Sequence, residues 1–469
     1  MNIRSIRPTD LRPALRRLWV CSAPKIGAID HAYPSGSGAP VFTVRGRYTA
    51  KGWTEWTQGF QYGSALLQYE ATGDEAFLAM GRDRTRDAMA PHVTHFGVHD
   101  HGFNNVSTYG HLRRLADEGR FDDDAGTRAW LDLALKASGA VQARRWTDLP
   151  EGAGYIYSFN GPHSLFADTI RSLRALAMAH RLGHVMMGEN DRRISLFERL
   201  VRHAHATVRY NVYFGTGRDA YDVRGRVAHE SLFNLNDGAY RCPSSQQGYS
   251  PFTTWTRGLA WVLTGCAEQL EFMETLGDDA FAALGGRAEV EGPLHEAAMA
   301  TADFYIEHTS TDGIPCWDTG APGLAALGDW RAGPADPFNA QEPVDSSAAA
   351  IAVLGLLRLG RHLARRGEAD AGRRYEDAGL TVLATLLEPP YLSEDPGHHG
   401  LLLHSIYHRP NGWDHVPEGR RIPCGEASMW GDYHLREAAL YVQELAGGRS
   451  APTFWGREPG DGAPQEPVS

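Results

Sequence analysis

One pattern recurs along the 469 residues: a helical run stops at a glycine, an acidic residue follows, and a second helical run begins. It is clearest at Thr72-Gly73-Asp74, which closes the run from Glu55 to Tyr69 and opens the one from Glu75 to Met89. Glycine tolerates the left-handed backbone that ends a helix, and an acidic residue suits the next first turn, so the pattern spells an αα-hairpin. It returns around Gly119, Gly183, Gly277 and Gly367. The first members (59–69, 164–179, 256–270 and 346–360) are rich in Gly, Ala, Trp and Tyr, and the second members carry more charge. Small-residue helices inside and charged helices outside imply a ring of hairpins. Five pairs, an amphipathic helix over 9–20 and a closing helix over 429–445 predict about twelve helices. The expected fold is therefore all-α, an (α/α)6 barrel forming a single catalytic domain over 1–447. A Pro/Gly-rich tail, 448–469, is expected to be a loose extension. A Gly/Pro-rich link is expected up to Lys51, and short strands at 220–227 and 401–408 are admitted without being decided.

Long insertions fall on one side of the repeats, at 92–105, 146–163, 219–251, 313–344 and 393–426, and hold a large share of the Trp, His and Tyr. Net charge is −11, which argues against general nucleic-acid binding and requires any anionic ligand to meet a local cluster of arginines. The five cysteines are scattered, with no CxxC pair, and imply neither a disulfide framework nor a zinc knuckle; they are expected to be reduced and buried. No leader or membrane-spanning run is visible in the sequence, and a cytoplasmic location is the expectation. Oligomeric state is not legible.

Five stretches carry chemistry. In 246–261, QQGYSPFTTWTRGLAW, a helix starting near Pro251 puts Arg257 and Trp261 at i and i+4 on one face. A guanidinium beside an indole suits a carboxylate-bearing sugar, although the same residues also serve as a structural ion pair and ordinary core. In 97–103, GVHDHGF, Asp100 stands between His99 and His101. It can cap a helix or act chemically, and residues adjacent in sequence rarely converge on one metal ion. In 155–172, Asp168 falls in an apolar run read as helical, where desolvation is expected to raise its pKa and suit it to general acid work. The third loop, 226–238, contributes His229, and Asp345 at 343–357 has the setting of an N-cap.

HDHGF, SLFADTIRS, QQGYSPFTTWTRGLAW, IPCWDTG, VDSSAAAIA and MWGDYHLREAAL, in this order, resemble the unsaturated glucuronyl hydrolases of glycoside hydrolase family 88 over about 53–445. The resemblance implies an (α/α)6 barrel that removes a terminal 4,5-unsaturated uronic acid from oligosaccharides left by polysaccharide lyases, by hydrating the double bond. It implies Asp168 as acid and base and Asp100 as the second essential carboxylate. Trp56, His99, His229, Gln247, Arg257 and Trp261 match positions around the uronate, and neither cofactor nor metal is implied. Two departures stand out: TIRSLRAL, with Arg171 and Arg174, replaces an asparagine-rich segment, and VRGRVAHES, which holds His229, stands in place of a strand-like DGS run before the histidine. The arginine pair raises the expectation of sulfated or otherwise anionic partners. The alternatives are an unsaturated rhamnogalacturonyl hydrolase; a saturated inverting uronidase, with Asp100 and Asp168 about 6.5–9.5 Å apart; and, from other classes, a toroidal sugar isomerase or a non-catalytic glycan-binding protein.

Overall fold

The structure, a computed structural model, describes residues 1–458. It is predominantly helical, and its principal helices follow the hairpin pattern. They are α1 (Arg12–Ala32), α2 (Gln58–Thr72), α3 (Glu75–Ala88), α4 (101–117, broken by a π-helical turn at Val106–Gly110) and α5 (Ala125–Arg144). Next come α6 (169–181, in two pieces), α7 (Leu196–Asn211), α8 (Thr256–Met273) and α9 (Arg287–Glu307). The last are α10 (Ser346–Arg365), α11 (Ala369–Leu386) and α12 (Met429–Ala446). Between α2 and α3, Gly73 takes φ 74°, its N–H reaches back to Tyr69, and Asp74 caps the next turn by accepting from Ala76.

The small-residue helices touch in sequence: α2 meets α4, α4 meets α6, α6 meets α8, α8 meets α10, α10 meets α12, and α12 returns to α2. The more polar helices lie outside their partners, α3 on α2, α9 on α8 and α11 on α10. Glycine sets the spacing. A Cβ on Gly102 of α4 would lie 2.3 Å from the Ser172 carbonyl oxygen of α6, and one on Gly355 of α10 would lie 2.9 Å from the Thr264 nitrogen of α8. Any side chain there would push neighbouring inner helices apart. α10 is long and apolar enough to cross a membrane, yet it is buried nearly throughout as the core of this packing.

Several expectations are corrected. α1 runs twelve residues past Val20, through Pro24 to Ala32, and the link after it holds a β-hairpin, Ala39–Val44 with Arg47–Lys51. The Glu426 carboxylate pins that hairpin's turn by accepting from the Arg45 and Gly46 N–H groups. The strand at 401–408 is reduced to isolated bridges, and the one at 220–227 to a bridge at Val227; ladders form instead between Trp146–Asp148 and Gly154–Ile156, and among Ser164–Phe166, Glu230–Phe233 and Tyr240–Ser244. Cys242 is exposed, although Cys266, Cys316 and Cys424 are buried.

Arg171 and Arg174 are 0% and 1% exposed. They turn inward, away from any sugar. Arg171 makes a two-pronged pair with Glu268 at 3.0 and 2.9 Å and reaches Glu437 at 2.9 Å. Their expected role with sulfated partners is withdrawn, because charges this deep are held by one another. The tail is no loose extension as far as Glu458. Phe454 and Trp455 are buried against Phe272, Arg358 donates to the Pro452 carbonyl, and Arg361 pairs with Glu458 at 2.6 Å. Residues 459–469 lie outside the described part.

Candidate active site

Asp100 and Asp168 each stand just ahead of a helix, and neither side chain caps it. Asp168 is not inside a helical run as expected: the strand Ser164–Phe166 ends two residues before it and the helix begins at Thr169. That strand's register, Phe166 opposite Glu230, and the bond from the Ala167 N–H to the His229 carbonyl bring His229 beside Asp168. On the other side, Gly102 donates to the Ser172 hydroxyl, which itself donates to the His99 carbonyl at 2.6 Å. The Gln142 amide donates to the same carbonyl. Two helix starts are thereby locked together, and their carboxylates converge on one imidazole.

His99 Nε2 lies 3.7 Å from Asp100 Oδ1 and 3.5 Å from Asp168 Oδ1, and all three residues are buried. Burial pushes the Asp100 carboxyl up, to about 6, assisted by the like charges of Asp168 and Glu55 and opposed by His99. Asp168 goes the other way. Burial works to raise it, but the His99 ring, with His229 and Arg257 further off, outweighs burial and holds its pKa below the usual value. The expectation of a desolvation-raised Asp168 is thus corrected, because the sequence did not show an imidazole at its side. Burial disfavours charge on His99, but the two carboxylates prevail and raise its pKa. His101, the other flanking histidine, points away to Ser138 and the His95 carbonyl.

The trio opens onto a pocket of about 730 Å³ that is also lined by Trp56, Gln247, Arg257 and Trp261. Trp56 stacks on Trp430 at 5.1 Å between ring centres, and Phe103 joins it to Trp261, 5.0 Å away. The result is an apolar wall facing the carboxylates, suited to the C–H face of a sugar ring. α8 begins at Thr256, not near Pro251, and Arg257 and Trp261 remain one turn apart on it.

The role expected of Arg257 needs correction. Its guanidinium is 1% exposed and lies between the rings of Trp255 and Trp430, not along Trp261. Nη1 donates to Asp345 Oδ2 at 3.1 Å and to the Ile406 carbonyl; Nη2 donates to Gln247 Oε1 at 3.0 Å and to the Tyr407 carbonyl at 2.8 Å. All four terminal hydrogens are committed, so Arg257 cannot clamp a carboxylate with its two-pronged end. It pins Gln247 instead and leaves that amide's NH2 free. Asp345 caps α10, as its sequence setting implied, while pairing with Arg257.

His229 is buried behind the lining, against Phe166 and Trp255. Its Nδ1 accepts from the Gln246 backbone N–H at 3.0 Å, and burial pushes its pKa down to about 4. The neutral ring therefore carries its proton on Nε2, which has no partner among the described residues. His99 Nδ1 likewise has no hydrogen-bond partner among the described residues, and Asp168 Oδ1 has only the His99 ring beside it, at 3.5 Å.

The sequence reading missed Glu55, Phe159, Trp255 and the Tyr407–Trp413 arc with Lys51. Trp255 and Glu55 sit next to residues that were singled out, and the arc lies in the aromatic-rich insertion at 393–426. What was absent was any signal of which loop residues turn inward.

Two buried carboxylates and an imidazole that share a pocket with aromatic side chains define the class of site: one able to exchange protons with a bound ligand. No family model matches the chain. Among curated relatives it is 24% identical over 395 residues to the unsaturated glucuronyl hydrolase of Formosa agariphila, covering 83% of this chain and 80% of that one. It is 27% identical over 411 residues to the unsaturated glucuronyl hydrolase of Bacillus sp. (strain GL1), covering 85% and 88%. It is 25% identical over 402 residues to the unsaturated chondroitin disaccharide hydrolase of Streptococcus pyogenes serotype M1, covering 82% and 81%. Its fold is that of the solved unsaturated glucuronyl hydrolase from Bacillus sp. GL1, with TM-score 0.69 and 22% identity over 94% of this chain and 99% of that one. The resemblance carried by the six motifs thus extends over more than four-fifths of the chain.

Proposed function

We propose that the chain is an (α/α)6 toroid that removes a terminal 4,5-unsaturated uronic acid from lyase-generated oligosaccharides by hydrating the C4=C5 bond. The cyclic order of the six inner helices supports the toroid, and the named relatives support the substrate class. The observation that carries the chemistry is the meeting of Asp168, Asp100 and His99 at an aromatic-walled pocket.

Asp168 is the general acid and base. Protonated, it gives its proton to C4; as C5 gains positive character, the resulting carboxylate takes a proton from the water that attacks there. One group does both, so the carboxyl emerges protonated and the alkene has gained water. The C5 hemiketal then opens and expels the aglycone. A uronate carboxylate in the pocket adds like charge beside Asp168 and shifts it toward the protonated form that the first step needs. Asp100, held near neutrality, and His99 keep a proton close at hand. Trp56 and Trp261 face the ring, and the NH2 of Gln247, not the fork of Arg257, meets the uronate, with the Nε2–H of His229 behind.

The conjugated alkene absorbs in the ultraviolet, so hydration is followed directly by loss of absorbance. Wild type should bleach an unsaturated disaccharide, and Asp168→Asn should not, while still unfolding in one cooperative thermal transition. An active Asp168→Asn variant refutes the assignment. Release of saturated glucuronate without bleaching points to the inverting uronidase instead.

A further inference from the structure

Gln246 and Gln247 are adjacent, both line the pocket, and their amides are held in opposite senses. Arg257 takes the oxygen of Gln247 and leaves its NH2. Gln246 gives its NH2 to Asn160 Oδ1 at 2.8 Å, which leaves its oxygen. Asn160 faces that way because its own NH2 donates to Glu230 Oε1 at 3.0 Å. Glu230 is 3% exposed, and Oε1 also accepts from the Ser164 hydroxyl. A carboxylate only accepts, so it allows Asn160 a single orientation, and Asn160 then allows Gln246 a single orientation. The same glutamine's backbone N–H fixes the His229 tautomer.

We infer that Glu230, which touches no substrate, is a positioning residue, and that Gln246 is a specificity determinant. Through Asn160, Glu230 turns the Gln246 carbonyl toward the sugar, so the pocket presents an acceptor beside the donor of Gln247. That pair fits a uronate carboxylate next to a free ring hydroxyl and disfavours a uronate whose hydroxyl is etherified or sulfated, because the acceptor then loses its donor. This rests on the proposed function and adds the substitution state of the sugar it takes.

The test compares two unsaturated disaccharides, one with the uronate hydroxyls free and one with them capped. A single hydrogen bond is worth on the order of three- to tenfold in affinity. Glu230→Ala should raise KM for the free sugar by about that factor with kcat nearly unchanged, and should leave the capped sugar unaffected. Glu230→Gln, whose amide can donate as well as accept, no longer forces Asn160 into one orientation and should also raise KM for the free sugar, by no more than Glu230→Ala does. Asn160→Ala, at a half-buried loop position, breaks the same relay one step along and should match Glu230→Ala, which keeps the test open if the buried substitution fails to fold. A fall in kcat alone, equal losses on both sugars, a native KM in Glu230→Gln, or a native KM in folded Asn160→Ala would each overturn the inference. A wild type that bleaches neither sugar withdraws the function itself, whereas an active wild type indifferent to Glu230 and Asn160 withdraws only this step.

Discussion

Asp100→Asn should make the protein more stable at neutral pH while removing its activity. The Asp100 carboxyl is displaced from an ordinary 3.8 to about 6 in the fold, with burial as the main cause. Between those two values the native state binds more protons than the unfolded chain, so this residue's contribution falls as pH rises and is fully unfavourable above about 6. A displacement of roughly two units at about 1.4 kcal/mol each gives a cost of about 3 kcal/mol at pH 7. Asparagine has the shape of the neutral acid and carries no charge. The gain should therefore be near zero below pH 4, grow through pH 4–6 and level off above. About 3 kcal/mol is its ceiling, because His99 forfeits a partner 3.7 Å away. Asp168→Asn should differ in sign: its pKa is depressed, so ionisation there stabilises the fold above the ordinary carboxylate range and the contribution fades as the medium is acidified. Urea unfolding of wild type and both variants at closely spaced pH values from 4 to 8 measures this. An Asp100→Asn variant that is less stable than wild type at pH 7, or whose gain does not change with pH, refutes the electrostatic account.

Other outcomes follow from the same geometry. Arg257→Met should cost about 3–5 kcal/mol in denaturant unfolding, since it strands the buried Asp345 carboxylate; a loss below 1 kcal/mol would show that the pair is dispensable. Trp56→Ala should weaken substrate binding more than turnover, seen as a rise in KM in the bleaching assay, because the ring supplies a surface and exchanges no proton. Ending the chain after Arg449 should lower stability by roughly 3–6 kcal/mol, the worth of two buried aromatic side chains. A truncated protein with the native melting temperature would contradict the packing of Phe454 and Trp455.

What could be read beforehand was decided by local chemistry. Gly73 with Asp74, and the Gly/Ala-rich runs, disclose hairpins because stop, cap and close packing are written in neighbouring residues. Asp100, Asp168, Gln247 and Trp261 stood out for similar reasons, each lying in a short polar-aromatic motif, and all four line one pocket. The electrical state of Asp168 was not legible, because it depends on His99, 69 positions earlier, arriving across a contact that only Gly102 permits. Arg257 misled for the opposite reason: its sequence neighbours are aromatic, and the groups that occupy it, Asp345 and the 406–407 carbonyls, lie some 90 and 150 residues on. Arg171 and Arg174 suggest, in sequence, charge available to an anionic partner and are buried instead, since Glu268 and Glu437 reach them from two other helices.

The segment from Ala451 to Glu458 works as a stopper at the end of the ring opposite the pocket. Phe454 and Trp455 shut water away from Arg358, Glu271 and their neighbours, and Glu458 latches onto Arg361 and Tyr441. These residues follow every helix they cover in the chain, so the Arg358–Glu271 pair reaches its full burial only once the segment is in place. A fusion partner joined at the end of α12 would displace these contacts, whereas one joined after Glu458 leaves them in place.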